Sequence, residues 1–222
     1  MVFGCPRANS PDQAALYIKT LMPGQFSGAQ ADFGQIRFLR SAATLEQLPI
    51  GGAEVAFAGR SNAGKSSAIN VVARARLARV SKTPGRTQLI NLFTLGNENL
   101  RLVDLPGYGY ARVPEGVRAA WGATVTRYLE RRGELKGLVL LLDIRRGLGE
   151  ADRALMNLWG RRPLHVVLTK SDQLGRAAAR DARDTVVAAC GNDPLISVQT
   201  FSAMNGEGAQ TLREQLLRWL SA

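Results

Sequence analysis

The chain of 222 residues carries one histidine and two cysteines, and each scarcity closes off a class of chemistry. Cys5 and Cys190 stand near opposite ends, with no partner at metal-ligand spacing. Neither a disulfide framework nor a zinc site is expected, and free thiols in a reducing compartment are. His165 lies inside Leu164-His165-Val166-Val167-Leu168 and reads as a packed, hydrogen-bonded side chain rather than a catalytic one. No window approaches the roughly 18 uninterrupted apolar residues of a membrane span. The N-terminus lacks a basic segment leading into an apolar one with a cleavage site. A soluble, cytoplasmic protein with no membrane partner is expected.

Acidic residues are also in deficit, 18 against 29 basic ones, for a formal net charge of +11. Such a surface attracts polyanions. Only Lys19, Lys65, Lys82, Lys136 and Lys170 are lysines. The other basic residues are arginines, whose planar fork pairs with phosphate and stacks on bases. They recur in groups: Arg74, Arg76, Arg79, Lys82 and Arg86; Arg127, Arg131 and Arg132; Arg145 and Arg146; Arg161 and Arg162; Arg176, Arg180 and Arg183. Each group alone reads as a solvated face, whereas the summed excess favours a nucleic-acid partner.

The length suits one domain with a terminal extension. Residues 1–30 are weakly patterned, with a helix suggested over 12–21, and form an appendage to a domain spanning 31–222. From residue 35 strand-like runs alternate with helical ones. Strands are expected at 36–39, 55–58, 89–95, 99–104, 138–144, 164–168 and 196–201, and helices at 65–76, 115–132, 150–159, 175–190 and 207–220. That order predicts an α/β fold with a mostly parallel sheet of six or seven strands and helices on both faces. Gly96-Asn97-Glu98 is too short for a crossover, so strands 89–95 and 99–104 should be antiparallel neighbours at the sheet edge. Val117, Ala120, Trp121, Thr124, Val125, Tyr128 and Leu129 repeat at helical spacing, as do Leu212, Leu216, Leu217 and Leu220, and both sets are expected to face the core.

Residues 59–66, Gly-Arg-Ser-Asn-Ala-Gly-Lys-Ser, follow the apolar run Glu54-Val55-Ala56-Phe57-Ala58 and match the G-x-x-x-x-G-K-[ST] phosphate loop. Gly59 and Gly64 allow a tight curl whose N–H groups face phosphate oxygens, and the following helix adds its positive end. Lys65 would reach the β- and γ-phosphates, and Ser66 would offer its hydroxyl to Mg²⁺. Asp104 closes the apolar strand before Leu105-Pro106-Gly107 and occupies the place of a carboxylate acting on the metal through water. Gly107 can bring its N–H to the γ-phosphate. Between these motifs, residues 81–88 (Ser-Lys-Thr-Pro-Gly-Arg-Thr-Gln) have the composition of a switch loop. Thr87 is the first choice for a metal ligand there and Thr83 the second.

Thr169-Lys170-Ser171-Asp172 follows an apolar strand and suits guanine recognition. The Asp172 carboxylate can accept from guanine N1–H and its exocyclic amine, whereas adenine offers neither donor. The stem of Lys170 would cover the base, and Ser202-Ala203, after Phe201, would give a backbone N–H to guanine O6. The expected nucleotide contacts are thus Gly59, Arg60, Ser61, Asn62, Ala63, Gly64, Lys65, Ser66 and Ser67; Gly85, Arg86 and Thr87; Asp104, Leu105, Pro106 and Gly107; Thr169, Lys170, Ser171 and Asp172; and Phe201, Ser202 and Ala203. Lys65, Thr87 and Gly107 are expected nearest the chemistry, with Ser66, Thr87 and, through water, Asp104 on Mg²⁺. Tyr108 stands where many small GTPases carry a water-orienting glutamine, which predicts slow intrinsic hydrolysis completed by a partner or a cation. Asn62 could help hold K⁺ beside the phosphates.

Residues 59–67, 82–88 (Lys-Thr-Pro-Gly-Arg-Thr-Gln), 104–110 (Asp-Leu-Pro-Gly-Tyr-Gly-Tyr) and 169–172 together resemble the EngB family of bacterial ribosome-biogenesis GTPases. The match spans about residues 30–221, and both Thr169 and Tyr108 are typical of that family. The resemblance implies a Ras-like G domain that binds GTP and GDP with Mg²⁺, assists late assembly of the large (50S) ribosomal subunit and supports cell division and septation. The basic composition agrees, since such a protein must meet rRNA phosphates in competition with salt. Arg112, Arg145 and Arg146 are candidates for rRNA contact or for helping hydrolysis. A monomer is expected. Two other readings stay open: an ATP-dependent small-molecule kinase, and an RNA-binding assembly module that uses GTP as a conformational ligand with little hydrolysis.

Overall fold

A computed structural model of the chain describes residues 32–77, 89–108, 115–191 and 193–221. The suggested helix 12–21, Cys5 and the switch residues Thr83, Gly85, Arg86 and Thr87 lie outside the described residues, as does Arg112.

Among the described residues seven strands form one sheet: β1 Ile36–Ala42, β2 Ala53–Gly59, β3 Ile90–Leu95, β4 Leu100–Asp104, β5 Leu135–Asp143, β6 Leu164–Thr169 and β7 Ile196–Phe201. Their spatial order is β1-β3-β4-β2-β5-β6-β7. From β4 to β7 every pairing is parallel, while β3 runs against both β1 and β4. The short connection after Leu95 does make β3 and β4 antiparallel neighbours. β1 then covers the outer side of β3, so the reversed strand lies one place in from the edge.

The central strands β2, β4, β5 and β6 are buried almost without interruption. That is the pattern of strands covered on both faces, and it explains why their sequences read as apolar runs rather than alternations. Helices α1 Lys65–Ala73 and α5 Ala209–Leu220 cover one face, packing Ala68, Ile69, Val72, Leu212, Leu216 and Leu220 against Val55, Phe57, Val139 and Leu141. On the other face α2 Glu115–Arg131, α3 Glu150–Trp159 and α4 Arg176–Ala189 bury Tyr128, Leu129, Leu155, Trp159 and Val186 against the opposite side chains of the same strands. The expected inward stripes hold for Tyr128 and Leu129 and for Leu212, Leu216 and Leu220. The side chains of Val117, Ala120 and Trp121 lie outside the described ones.

Helix α1 stops at Ala73, three residues short of the expected end at 76. Arg74 turns left-handed (φ 52°), its N–H returning to the Val71 carbonyl and that of Ala75 to the Asn70 carbonyl at 3.2 Å each. This is a Schellman closure built on arginine where glycine is usual, so composition gave no stop signal. His165 is buried as expected, with Nδ1 2.7 Å from Ser197 Oγ and Nε2 2.9 Å from Gln199 Oε1.

At the N-terminal end of β2 the fully buried Glu54 accepts four hydrogen bonds from three residues. Oε1 accepts from Arg101 Nε at 2.9 Å and Arg132 Nη2 at 2.6 Å, and Oε2 from the Tyr128 hydroxyl at 2.9 Å and Arg132 Nε at 3.0 Å. The arginines continue to the carbonyls of Glu98, Gly51 and Pro49. Burial, then the neighbouring Glu54 charge, hold the Tyr128 hydroxyl protonated well above its usual range. The cluster ties the C-terminal turn of α2 to the sheet, leaving the opposite, C-terminal edge for the loops.

Candidate functional site

Five parallel strands end at that edge on Gly59, Asp104, Asp143, Thr169 and Phe201. This is where open α/β sheets bind ligands. Gly59–Ser67, Asp104–Gly107, Thr169–Asp172 and Phe201–Ala203 all converge there, although far apart in the chain.

Residues 59–66 leave β2 and enter α1 through a loop whose shape depends on its glycines. A Cβ on Gly59 would meet the Leu141 carbonyl oxygen at 2.8 Å, and Gly64 is left-handed (φ 88°), as is Asn62 (φ 65°). The loop is fastened from below by the motif after β6. Thr169 donates its hydroxyl to the Ala63 carbonyl at 2.6 Å and lies 3.0 Å from the Leu142 carbonyl. Lys170 donates its ammonium to the Asn62 carbonyl at 2.9 Å and to Asp143 Oδ2 at 2.8 Å. A threonine suffices at position 169 because the contact needs one short donor.

Lys65 Nζ is ion-paired with Asp104 Oδ1, and both side chains are nearly buried. The expected phosphate-binding cation and the expected metal-side carboxylate therefore neutralise one another across the head of β4. After Asp104 the chain stays against the phosphate loop: Leu105 N–H donates to the Phe57 carbonyl at 3.0 Å and Tyr108 N–H to the Gly59 carbonyl at 3.3 Å, while the Tyr108 carbonyl accepts from Ser61 N–H at 3.1 Å. Gly107 is boxed in on this side, a Cβ there coming within 3.3 Å of Ser61 Oγ.

At the other end of the loop a cleft of about 190 Å³ is lined by Ser67, Thr169, Lys170, Asp172, Phe201 and Ala203, among others. The Asp172 carboxylate is held by the Ser202 hydroxyl at 2.5 Å. Ser202 Oγ in turn accepts the Met204 N–H at 3.1 Å, so the carboxylate is aimed by a buried hydroxyl fixed to its own loop. Ser202 N–H is taken by the Glu207 carbonyl at 3.1 Å. Glu207 also accepts from Ser171 Oγ and Thr200 Oγ1, each at 2.9 Å. Its carboxylate clamps the two base-side loops together.

Asp143, Asp152 and Glu207 were not among the expected site residues. Asp143 closes an apolar strand as Asp104 does, and that shared position was its only sequence signal. Arg145 forks onto it, Nε to Oδ1 at 2.9 Å and Nη2 to Oδ2 at 2.6 Å. That pairing, ahead of the Lys170 contact, holds the Asp143 carboxyl well below the usual carboxylate range. Arg145, a candidate for rRNA contact or for helping hydrolysis, thus has an internal partner, though its side chain is exposed, as is Arg146. Asp152, fully buried, accepts the Tyr108 hydroxyl at 2.6 Å and the Gly149 N–H at 2.9 Å. Burial first, then this bond to Asp152, raise the Tyr108 hydroxyl beyond any ionisation near neutrality. No cluster of three or more His, Cys, Asp or Glu suited to a metal occurs among the described residues.

Residues 54–170 match the family model described as "50S ribosome-binding GTPase". The chain is 50% identical to a probable GTP-binding protein EngB of Methylococcus capsulatus, over 83% of this chain and 90% of that one. It is 46% identical to the probable EngB of Coxiella burnetii, over 89% and 98%. Among solved structures, a probable GTP-binding protein engB superposes with a TM-score of 0.62 at 20% identity, covering 76% of this chain and 99% of that one. Era bound to GDP·AlF4⁻, from Aquifex aeolicus, gives a TM-score of 0.63 at 19% identity, over 77% and 57%. These two likenesses establish the shared fold. With a family model spanning more than half of the chain and a relative 50% identical over most of both lengths, this chain belongs to the EngB group of the 50S ribosome-binding GTPases.

Proposed function

We propose that this chain binds GTP and GDP with Mg²⁺, hydrolyses GTP slowly by itself, and acts as a cytoplasmic, monomeric assembly factor for the large ribosomal subunit, in support of cell division and septation. The G domain spans residues 31–222, with 1–30 as an extension. The observation that carries the reading is the Asp172 carboxylate, fixed by Ser202 at the mouth of a cleft that continues into the phosphate loop. A carboxylate so placed accepts from both guanine donors and is left unpaired by adenine. Since Ser202 N–H is engaged, Ala203 supplies the N–H for guanine O6.

Phosphates bind in the curl of residues 59–67, where Lys65 exchanges Asp104 for β- and γ-oxygens. Asp104 then serves Mg²⁺ through water, together with the hydroxyl of Ser66 and with Thr87 of the switch loop, alongside Gly85 and Arg86. One carboxylate and hydroxyls suit Mg²⁺, which keeps several waters and takes phosphate oxygens. Gly107 addresses the γ-phosphate. Tyr108, tied to Asp152, does not orient water as a glutamine does, which supports slow turnover with the missing element supplied by pre-50S particles and by K⁺ beside Asn62. The charge of +11 suits rRNA phosphates.

Calorimetric titration with GDP, ADP and a non-hydrolysable GTP analogue tests the reading. Guanine-selective binding that vanishes in Asp172→Ala supports it, and equal binding of ADP overturns it in favour of an ATP-dependent kinase. The Tyr108–Asp152 pair also favours a second reading, an assembly module using GTP as a conformational ligand. The two separate on whether pre-50S particles raise the hydrolysis rate or only the affinity. Equal rates in KCl and NaCl overturn the role given to K⁺.

A further inference from the structure

We propose that Tyr108 is a positioning residue: bolted to Asp152, it holds Gly107 against the phosphate loop and so sets the preference of the site for a nucleoside triphosphate over a diphosphate. The proposal rests on the GTPase reading above.

Tyr108 is fixed at three points. Its N–H donates to the Gly59 carbonyl at 3.3 Å, its carbonyl accepts from Ser61 N–H at 3.1 Å, and its hydroxyl donates to Asp152 Oδ1 at 2.6 Å. The backbone contacts form an isolated parallel bridge, Arg60 with Tyr108, that continues the sheet past the end of β4. The carboxylate cannot follow the tyrosine outward, because Asp152 is fully buried and its second oxygen accepts the Gly149 N–H at the start of α3. Three elements thus grip one residue: the phosphate loop, the first turn of α3 through Asp152, and the apolar layer under Tyr108, which packs with the core of that face.

Gly107 is the neighbour of this anchored residue, and it lies close enough to the loop that a Cβ on it would come within 3.3 Å of Ser61 Oγ. The anchoring of Tyr108 thereby limits where the peptide that would meet a third phosphate can lie. A diphosphate does not reach Gly107 and gains nothing from its placement. A triphosphate does, and the ordering that would otherwise weaken its binding has been met by the fold.

Tyr108→Phe removes only the hydroxyl. A hydrogen bond to a buried carboxylate is among the stronger kinds, so affinity for a non-hydrolysable GTP analogue should fall about tenfold. Affinity for GDP should stay within about twofold of the parent. Asp152→Ala breaks the arrangement from the other side, since it removes the acceptors of both Tyr108 and Gly149, and it should shift the same ratio in the same direction. An analogue-to-GDP ratio unchanged in both variants overturns the proposal. A parallel loss of both affinities also overturns it, by reducing the pair to a structural contact. If the parent protein binds neither guanine nucleotide, the GTPase reading fails with it, whereas a normal parent with an unmoved ratio sinks the positioning role alone.

Discussion

The Thr169 hydroxyl and the Ala63 carbonyl, 106 residues apart, lie 2.6 Å from one another. Through this bond the strand that ends in the base-reading motif supports the floor of the phosphate loop. Thr169→Val keeps the shape and removes the donor, leaving a buried carbonyl unpaired at a cost of about 1–3 kcal/mol. The expected result is a loss of about tenfold or more in affinity for GDP and the GTP analogue alike. Calorimetry on the variant reads it, and an unchanged affinity would mean the loop holds its shape without Thr169.

Lys65 and Asp104 form an ion pair that shields two nearly buried charges. Lys65→Met should lower thermal stability by leaving Asp104 unpaired, and Asp104→Asn in the same chain should restore part of the loss. A double-mutant cycle on nucleotide-free protein measures the coupling. Simple additivity of the two changes would show that the pair contributes nothing to the fold.

Glu54 is ion-paired with both Arg101 and Arg132 inside the protein, and Glu134 adds a second carboxylate at Arg132. Removing one partner of such a cluster leaves buried charge behind, so Glu54→Gln should cost about 3–5 kcal/mol. For a domain of this size that corresponds to a fall in Tm of about 10 °C. Because the cluster lies at the far end of β2, GDP affinity of the folded variant should be preserved. A thermal melt within two or three degrees of the parent, about 1 kcal/mol, would contradict this account.

Burial holds the His165 imidazole below its ordinary value of 6.5. The unfolded chain takes up a proton near that value while the folded one resists it. The contribution of the neutral ring is therefore complete above pH 6.5 and is lost as pH falls through the lowered folded value. Denaturant midpoints should drop between neutral and mildly acidic pH in the parent and change less in His165→Asn. Asp143, held below 3.8 by Arg145, gives up its contribution only in stronger acid, so the two windows separate.

The parts of this site written as contiguous motifs were legible before any coordinates: the phosphate loop after β2, Asp104 at a strand end, Thr169–Asp172 after β6. Apolar runs found the buried parallel strands because both faces of each are covered. Pairings across long separations were not legible. Nothing in the periodicity joins Tyr108 to Asp152 or Glu54 to Arg132, since those bonds depend on how α2 and α3 pack on the sheet. Nor did composition reveal that Arg74 would close α1, because the left-handed turn is set by the chain's return toward Val71 and Asn70 and not by a glycine.

The placement of β1 beside β3 bears on how the free chain behaves in a crowded solution. Without β1, the apolar strand Ile90–Leu95 would offer a straight row of open backbone groups to any neighbouring copy, the usual seed of aggregation. β1 seals that row and presents a poorer template. It is interrupted by a bulge between Phe38 and Arg40 and carries the exposed arginines 37 and 40 along its length. Among the described residues β1 is the edge of the sheet, and strand addition there is met by a kinked backbone and repelling like charges.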